Sequence, residues 1–224
     1  MQTKRPMIKE TVGALYLAYN KPDDGVEFDI TKYEETIKSE VVKKIGTTEN
    51  AESTAVRASG KDYVTASQTS SVEQAVEVIA FDSEDRAKMR GDKIGKYGVT
   101  SGRATQRPYF AFGKVVKKIG GGVEYKWYPK CQLVENTEDI ETSEDTYSEQ
   151  NDTLTIKAYS YNDEGDKSYS IDSEMKNFPA GITEELFFNQ VITSDDDIEK
   201  ILATLNPDEE NIENGENQEE IQGA

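Results

Sequence analysis

The sequence predicts a mainly β protein with a few short flanking helices. Apolar and polar residues alternate with a period of two in several segments, a pattern typical of strands that bury one face. These segments are rich in Val, Ile, Tyr and Phe, and clusters of Gly, Asn and Asp separate them. The chain has 224 residues, enough for one full-sized domain. We assign this domain to residues 1–205.

In the first part of the chain, residues 11–20 are β-branched and aromatic and predict a strand. Alternation of the apolar residues Val26, Phe28 and Ile30 with polar ones predicts a second strand over residues 26–37. The polar stretch 46–60 has no usable periodicity, and we interpret it as a long loop. Because a compact domain seldom carries such a loop without a function, this stretch is a candidate functional segment. Residues 69–78 then predict a long strand.

Three short helices are indicated by their capping residues. Asp82 can cap a helix over residues 83–90, and Gly91 can end it. Thr183 and Ser194 can cap two more helices near the end of the domain. The last helix has one apolar stripe, formed by Ile198, Ile201, Leu202 and Leu205.

Residues 107–133, RPYFAFGKVVKKIGGGVEYKWYPKCQL, form the strongest predicted hairpin. Two alternating aromatic arms flank three glycines, which can adopt the positive φ angles of a tight turn. We expect the lysines of the hairpin to be solvated edge residues that discourage stray strand pairing. Its core is assigned to Tyr109, Phe110, Phe112, Tyr125 and Trp127. Two more strands are predicted over residues 152–161 and 168–175.

The composition argues against several classes of function. The chain has no histidine, so the commonest general base and metal ligand is missing. A net charge of −18 disfavours binding to nucleic-acid phosphates or to an anionic membrane surface. The single cysteine, Cys131, cannot form an internal disulfide. We therefore expect no enzyme, no catalytic or metal-binding residue, no cofactor and no membrane partner.

Two segments contain acidic residues and no basic ones. Residues 135–152 contain eight acids and are interpreted as an acidic connector between strands. Residues 206–224 contain seven acids. Their polar composition predicts a flexible carboxyl-terminal tail, because such a segment has too little apolar surface to form a core.

Several stretches together resemble the major tail tube protein of long-tailed bacteriophages, the siphophage type. They are FDITKYEETIKSE, RASGKDY, VEQAVEVIAFD, the hairpin RPYFAFGKVV…VEYKWYPKCQL and NDTLTIKAYSY. The resemblance spans roughly residues 8–192 and is most specific in the hairpin, the acidic connector and TLTIKAY. The acidic tail, residues 206–224, is not part of the pattern.

The resemblance implies a β-sandwich subunit that assembles into hexameric rings and contributes strands to a ring-shaped inner β-barrel. Stacked rings surround a tape-measure protein, and tail terminator and distal tail proteins are further partners. Phage DNA passes through without specific binding. The implied location is the virion tail, assembled in the bacterial host cytoplasm, and both a phage tail and a tail-like bacteriocin fit.

Two sets of residues follow from this family role. An acidic lumen would repel DNA phosphates, and polar residues of the predicted strands are candidates to line it. These lumen candidates are Glu27, Asp29, Glu35, Glu73 and Glu77. The stretch 46–60 is the candidate for contact between rings, with Thr47, Thr48, Glu49, Asn50, Glu52, Arg57 and the adjacent Lys61 as its candidate residues.

The alternative from a different class is a monomeric β-sandwich binding module. In this hypothesis Tyr125, Trp127 and Tyr128 form an exposed aromatic patch that recognises a protein or a carbohydrate. The two hypotheses differ in the burial of these three rings, because a packed hairpin would remove them from solvent.

Overall fold

The structure is a computed structural model that describes residues 5–21, 27–58, 61–102, 106–138, 140–142 and 149–205. For residues 52–58 and 62–70 only the backbone is described. The predicted tail and the middle of the predicted acidic connector, residues 143–148, lie outside the described residues. The mainly β class is confirmed, because most described elements are strands and the three helices are short.

The strands are β1 (Lys9–Tyr19), β2 (Ile37–Ser39), β3 (Val42–Ala58), β4 (Lys61–Val78), β5 (Lys93–Ile94), β6 (Val99–Thr100), β7 (Phe110–Lys118), β8 (Val123–Glu138), β9 (Asp152–Ala158) and β10 (Tyr169–Asp172). The helices are α1 (Ser83–Arg90), α2 (Glu184–Phe188) and α3 (Asp195–Leu205). The first four residues of the predicted acidic connector, 135–138, therefore belong to β8.

Eight strands form one antiparallel sheet in the order β2-β1-β7-β8-β9-β4-β3, with β10 paired to β8 beside this path. The strands β5 and β6 form a separate two-stranded sheet. The large sheet is strongly curled. Its curvature is seen in a contact between β7 and β3, which lie four strands apart in the order: Nζ of Lys114 is 2.6 Å from Oγ1 of Thr47. The two halves of the sheet therefore face each other like the layers of a sandwich.

The main core lies between the two halves of the curled sheet. Alternate residues of β7 serve two different cores, as the period of a strand requires. Phe110 and Phe112 point into the main core, whereas Ala111 and Val115 point to the opposite face of β7. The main core is formed by Leu15, Leu17, Tyr19, Val72, Val76, Val78, Met89, Phe110, Phe112, Tyr128, Cys131, Leu133, Leu154, Ile156 and Ala158.

A second core covers the outer face of β1, β7 and β8 beneath α2 and α3. Trp127 packs against Phe188 with ring centroids 5.2 Å apart, and Tyr16 stacks on Phe188 at 3.9 Å. Gly113 makes this close approach possible, because a Cβ there would lie 2.7 Å from Cε1 of Phe188 and 3.0 Å from Cε3 of Trp127. The apolar stripe of α3 contributes the buried Ile198 to this core.

The predicted hairpin over residues 107–133 is confirmed as β7 and β8. Gly120 and Gly121 have φ angles of 92° and 86°, which lie in the left-handed region that glycine favours. Gly122 is needed for another reason, since a Cβ there would lie 2.5 Å from Sδ of Met7. Two of the three glycines therefore make the turn, and the third leaves room for the amino-terminal segment.

The predicted strand over residues 26–37 is wrong for the part that the structure describes. Residues 27–36 form a loop with a turn, and only at Ile37 does β2 begin. The Asn20 side chain donates to the carbonyl of Lys32 at 2.9 Å, and the Asp29 carboxylate accepts from the Thr31 N–H at 2.9 Å. These local side-chain bonds compete with strand pairing and hold the backbone in a turn.

Capping residues define two of the helix starts as predicted. The Asp82 carboxylate accepts hydrogen bonds from the N–H groups of Glu84 and Asp85 at the start of α1. Thr183 accepts from the Leu186 N–H at 3.3 Å at the start of α2. Gly91 ends α1 with a φ of 71°, the left-handed cap that the sequence predicts.

Candidate assembly surface

The predicted loop over residues 46–60 is wrong, because residues 46–58 belong to β3. This strand pairs with β4 from Val42 opposite Val78 to Ala58 opposite Lys61. The alternation was hidden because residues 47–50 are polar on both faces of the strand. The content of β-branched residues, such as Thr47, Thr48 and Val56, was the available signal.

The β3–β4 hairpin extends beyond the rest of the sheet as a two-stranded ribbon. Strand β4 pairs with β9 only through residues 72–78. Residues 51–58 and 61–70, which we call the ribbon, pair only with each other among the described strands. A two-stranded ribbon is marginally stable alone in water, so a ribbon of this length is expected to pack against another surface.

The predicted ring-contact residues fall at different places on this hairpin. Thr47, Thr48, Glu49 and Asn50 lie at the base of the ribbon in β3, and all four are exposed. Glu52 and Arg57 lie within the ribbon, and only their backbone is described. Lys61 is the exposed first residue of β4.

Strand β3 is also an open edge of the large sheet. It ends the strand order, and its second edge pairs with no described strand along 17 residues. At the other end of the order, β2 covers β1 only at residues 15–17. Unpaired main-chain N–H and C=O groups along such edges are a template for pairing with another chain. The fold therefore presents two unlike strand edges on one subunit.

The outer face of the β3-β4-β9 half of the sheet is polar and open. Val72, Gln74, Val76 and Val78 of β4 point into the main core, and the alternate residues point outward. Ala75 is exposed on this outer face, so no described element covers the sheet there. The register places on this face, which we call the polar face, Lys44, Gly46, Thr48, Glu73, Ala75, Glu77, Gln132, Glu135, Thr137, Thr153, Thr155 and Lys157.

The polar face carries a small net charge. Its three carboxylates, Glu73, Glu77 and Glu135, and its two lysines, Lys44 and Lys157, sum to −1. Glu73 pairs with Lys157 at 3.8 Å across neighbouring strands. The two lumen candidates on β4 thus lie on one open face, where lysines partly neutralise them.

The other three lumen candidates lie on a different element. Glu27, Asp29 and Glu35 belong to the loop between β1 and β2. Hydrogen bonds from Thr31 lower the pKa of the Asp29 carboxyl group and tie its side chain to the turn. The same loop packs on β8, where the Tyr33 hydroxyl donates to the carbonyl of Pro129 at 3.0 Å. The structure therefore does not collect the five candidates on one strand face.

The exposed aromatic patch of the alternative hypothesis is wrong. Trp127 and Tyr128 are fully buried, and Tyr125 is only 6% exposed. The Trp127 Nε1–H donates to the carbonyl of Phe187 at 3.3 Å inside the second core. Of the five residues assigned to the hairpin core, four are buried and Tyr109 is half-buried, because Tyr109 immediately precedes β7.

The expectation that the hairpin lysines are solvated is wrong for two of them. Lys118 is 4% exposed and pairs with Asp172, with Nζ 2.6 Å from Oδ2. Lys114 is 8% exposed on the core side of β7, where its Nζ donates to Thr47 Oγ1 at 2.6 Å and to Gln74 Oε1 at 3.2 Å. Lys114 is enclosed because the sheet curls and brings β3 and β4 over it. The local sequence around Lys114 does not predict this burial.

Burial, together with the charge of Lys126 on the neighbouring strand, lowers the pKa of Lys114 to about 8. The described hydrogen-bond partners of the ammonium group are neutral. A buried cation with neutral partners is costly, because the hydration that it loses is only partly replaced.

Replacing Lys114 with methionine is therefore expected to stabilise the unassembled subunit by about 1–3 kcal/mol at pH 7. The pKa of Lys114 is lower in the folded chain than the ordinary 10.5 of an unfolded one. Between pH 8 and 10.5 the unfolded wild type binds more protons, so its stability rises relative to the variant. Urea unfolding at pH 7 and pH 10 measures both effects. A stability difference that does not shrink at pH 10 would contradict this account.

Comparison with solved structures finds seven similar chains. No protein-family profile matches the chain, and no curated protein matches it. The chain is similar to a chain in the "Cryo-EM structure of the anti-feeding prophage (AFP) baseplate, 6-fold symmetrised", with 8% identity and a TM-score of 0.37. The match covers 76% of this chain and 97% of that chain. A similarity of this strength assigns no function.

Two further findings concern sites of other kinds. Within the described ranges, no helix combines the length and the apolar character needed to cross a bilayer. Among the same residues, no group of three or more carboxylate or thiol side chains is arranged to hold a metal ion.

Proposed function

We propose that this protein is a structural virion protein, the subunit of a phage tail tube that stacks as hexameric rings around a conduit for genome passage. The observation that carries the proposal is the long open edge of β3, which continues into the ribbon beside the polar face. The resemblance of the sequence to siphophage tail tube proteins supports the same function.

The two unlike edges of the sheet support the proposal of a closed ring. When the β3 edge of one subunit pairs with the β1–β2 edge of the next, the contact is head-to-tail. Repeated head-to-tail contacts close into a ring when the rotation between subunits fits. Closure also removes the open edges, as in any β-barrel. In this arrangement β3 and β4 contribute to the inner barrel.

The polar face lines the bore in this proposal. Duplex DNA carries one negative charge per about 1.7 Å, so a wall rich in lysine would hold it. A face with a net charge of −1 and many small side chains offers no such attraction. The ribbon then contacts the next ring in the stack. A tape-measure protein, a tail terminator and a distal tail protein are the other proposed partners, and no catalytic function is proposed.

Sedimentation velocity of the purified full-length chain tests this proposal. We expect ring-sized species and stacks of rings whose proportion rises with protein concentration, because both the edge and the ribbon contacts are between copies. A monomer that persists at every concentration, with the fold intact by circular dichroism, would overturn the proposed function.

A further inference from the structure

A cleft of about 530 Å³ opens between β1, β3 and β7, at the seam where the two ends of the curled sheet approach each other. The walls are formed by the first residues of β1 and by β3, which are not paired to each other. Lys114 lies at its floor. The lining residues are Lys9, Glu10, Thr11, Val12, Lys43, Lys44, Ile45, Thr47, Lys114 and Val116.

The cleft is basic in a strongly acidic protein. Its four lysines and one glutamate sum to +3, whereas the chain carries −18. Lys43 is already paired with Glu149 at 3.0 Å and with Glu77 at 3.7 Å. Lys9 and Lys44 form no salt bridge among the residues that the structure describes. Three cations therefore remain available to an acidic ligand: Lys9, Lys44 and the buried Lys114.

Two buried polar atoms without a described partner lie next to Lys114, behind the residues that line the cleft. Gln74 Nε2 and the Tyr128 hydroxyl are buried and have no hydrogen-bond partner among the described residues. Both side chains adjoin Lys114, whose Nζ lies 3.2 Å from Gln74 Oε1 and 5.4 Å from the centroid of the Tyr128 ring. Gln74 and Tyr128 do not line the cleft, so the buried group that an acceptor in the cleft can reach is the ammonium group of Lys114. A buried cation with neutral partners is stabilised when an anionic acceptor approaches it. The cleft is therefore suited to carboxylate groups.

We propose that this cleft binds the acidic carboxyl-terminal segment, residues 206–224, of a second copy of the chain. The segment carries seven acids and no base, which complements the charge of the cleft. Its two isoleucines, Ile212 and Ile221, can contact the apolar wall formed by Val12, Ile45 and Val116. This inference rests on the proposed function, because assembly brings the second copy close.

The second copy is favoured as the source because of where α3 lies. The segment follows α3, which covers the Trp127 face of the sheet, whereas Lys114 points to the opposite face of β7. To reach its own cleft, the segment would have to pass around the edge of β1. Nineteen extended residues span at most about 65 Å, which is enough to reach a neighbouring subunit.

Carbodiimide cross-linking tests the contact, because this reagent joins only amines and carboxylates that touch. Full-length subunits labelled with ¹⁴N and ¹⁵N are mixed, assembled, cross-linked and analysed by mass spectrometry. We expect mixed-isotope cross-links from Lys9 or Lys44 to acids between Asp208 and Glu220. The inference is overturned if rings form and these cross-links are absent, are of one isotope only, or are no more frequent than those of Lys96 and Lys176. If no ring forms, the proposed function itself fails.

A protease measurement gives a second readout with a matched control. Lys9→Glu/Lys44→Glu is expected to speed release of the segment by a Glu-specific protease at least fivefold in assembled protein. Lys96→Glu/Lys176→Glu makes the same change in net charge at exposed sites away from the cleft and is expected to leave the rate unchanged. Equal rates in the two variants would overturn the inference.

Discussion

Replacing Trp127 with alanine is expected to lower the free energy of unfolding of the subunit by about 3–5 kcal/mol. The indole is fully buried between β7 and the α2 helix, where its Nε1–H donates to Phe187. Its ring also packs on Phe188, which in turn stacks on Tyr16. Truncation removes the transfer free energy of the ring and leaves a cavity beneath α2 that close packing cannot fill.

Urea unfolding followed by circular dichroism measures this loss. Tyr97→Ala is the control, because Tyr97 is 90% exposed and its replacement should change stability by less than about 0.5 kcal/mol. A loss below about 1 kcal/mol for Trp127→Ala would show that the hairpin is not packed as described. It would also revive the binding-module hypothesis, which requires an accessible indole.

Replacing residues 52–68 with the dipeptide Asn-Gly is expected to abolish stacking of rings and to leave the fold intact. Ala51 and Thr69 are paired across the hairpin, so a two-residue turn can join them without a change of register. The change removes most of the ribbon and none of the residues of β4 that pair with β9. Because the change leaves every residue of the two described cores in place, the subunit should unfold at nearly the wild-type temperature.

The matched control places the same turn at the end of the complete ribbon. Since β3 ends at Ala58 and β4 begins at Lys61, Ser59→Asn creates an Asn-Gly sequence between them. This variant should assemble like the wild type. Sedimentation velocity compares the three proteins. Normal stacks from the shortened chain would show that the ribbon is not the contact between rings.

The parts of the fold that the sequence predicts correctly depend on neighbours along the chain. The β7–β8 hairpin follows from alternating aromatic arms around the turn at Gly120, and the start of α1 follows from the Asp82 cap. A turn, a helix cap and an alternating strand each depend on residues that are close in the sequence, so a short stretch of sequence is enough to predict them. The predicted strand over 26–37 fails for the same kind of reason, because side-chain bonds of Asn20 and Asp29 outweigh a weak alternation.

The candidate surface depends on contacts that are distant in sequence. Residues 46–58 form a strand because they pair with β4. The polar side chains of this stretch do not predict that pairing. The burial of Lys114 depends on curling of the sheet, which brings Thr47 of β3 over β7. Glu73 and Glu77 lie on one face because the alternation of β4 is regular, but their lysine partners come from other strands.

Electron microscopy of the purified full-length protein tests assembly into a conduit most directly. The account predicts closed rings and stacked tubes with a central bore, and in a cryo-EM reconstruction the wall of the bore is the polar face that carries Glu73 and Glu77. Single subunits without closed rings would contradict the account. So would a tube in which α2 and α3 line the bore and the β3 edge remains unpaired.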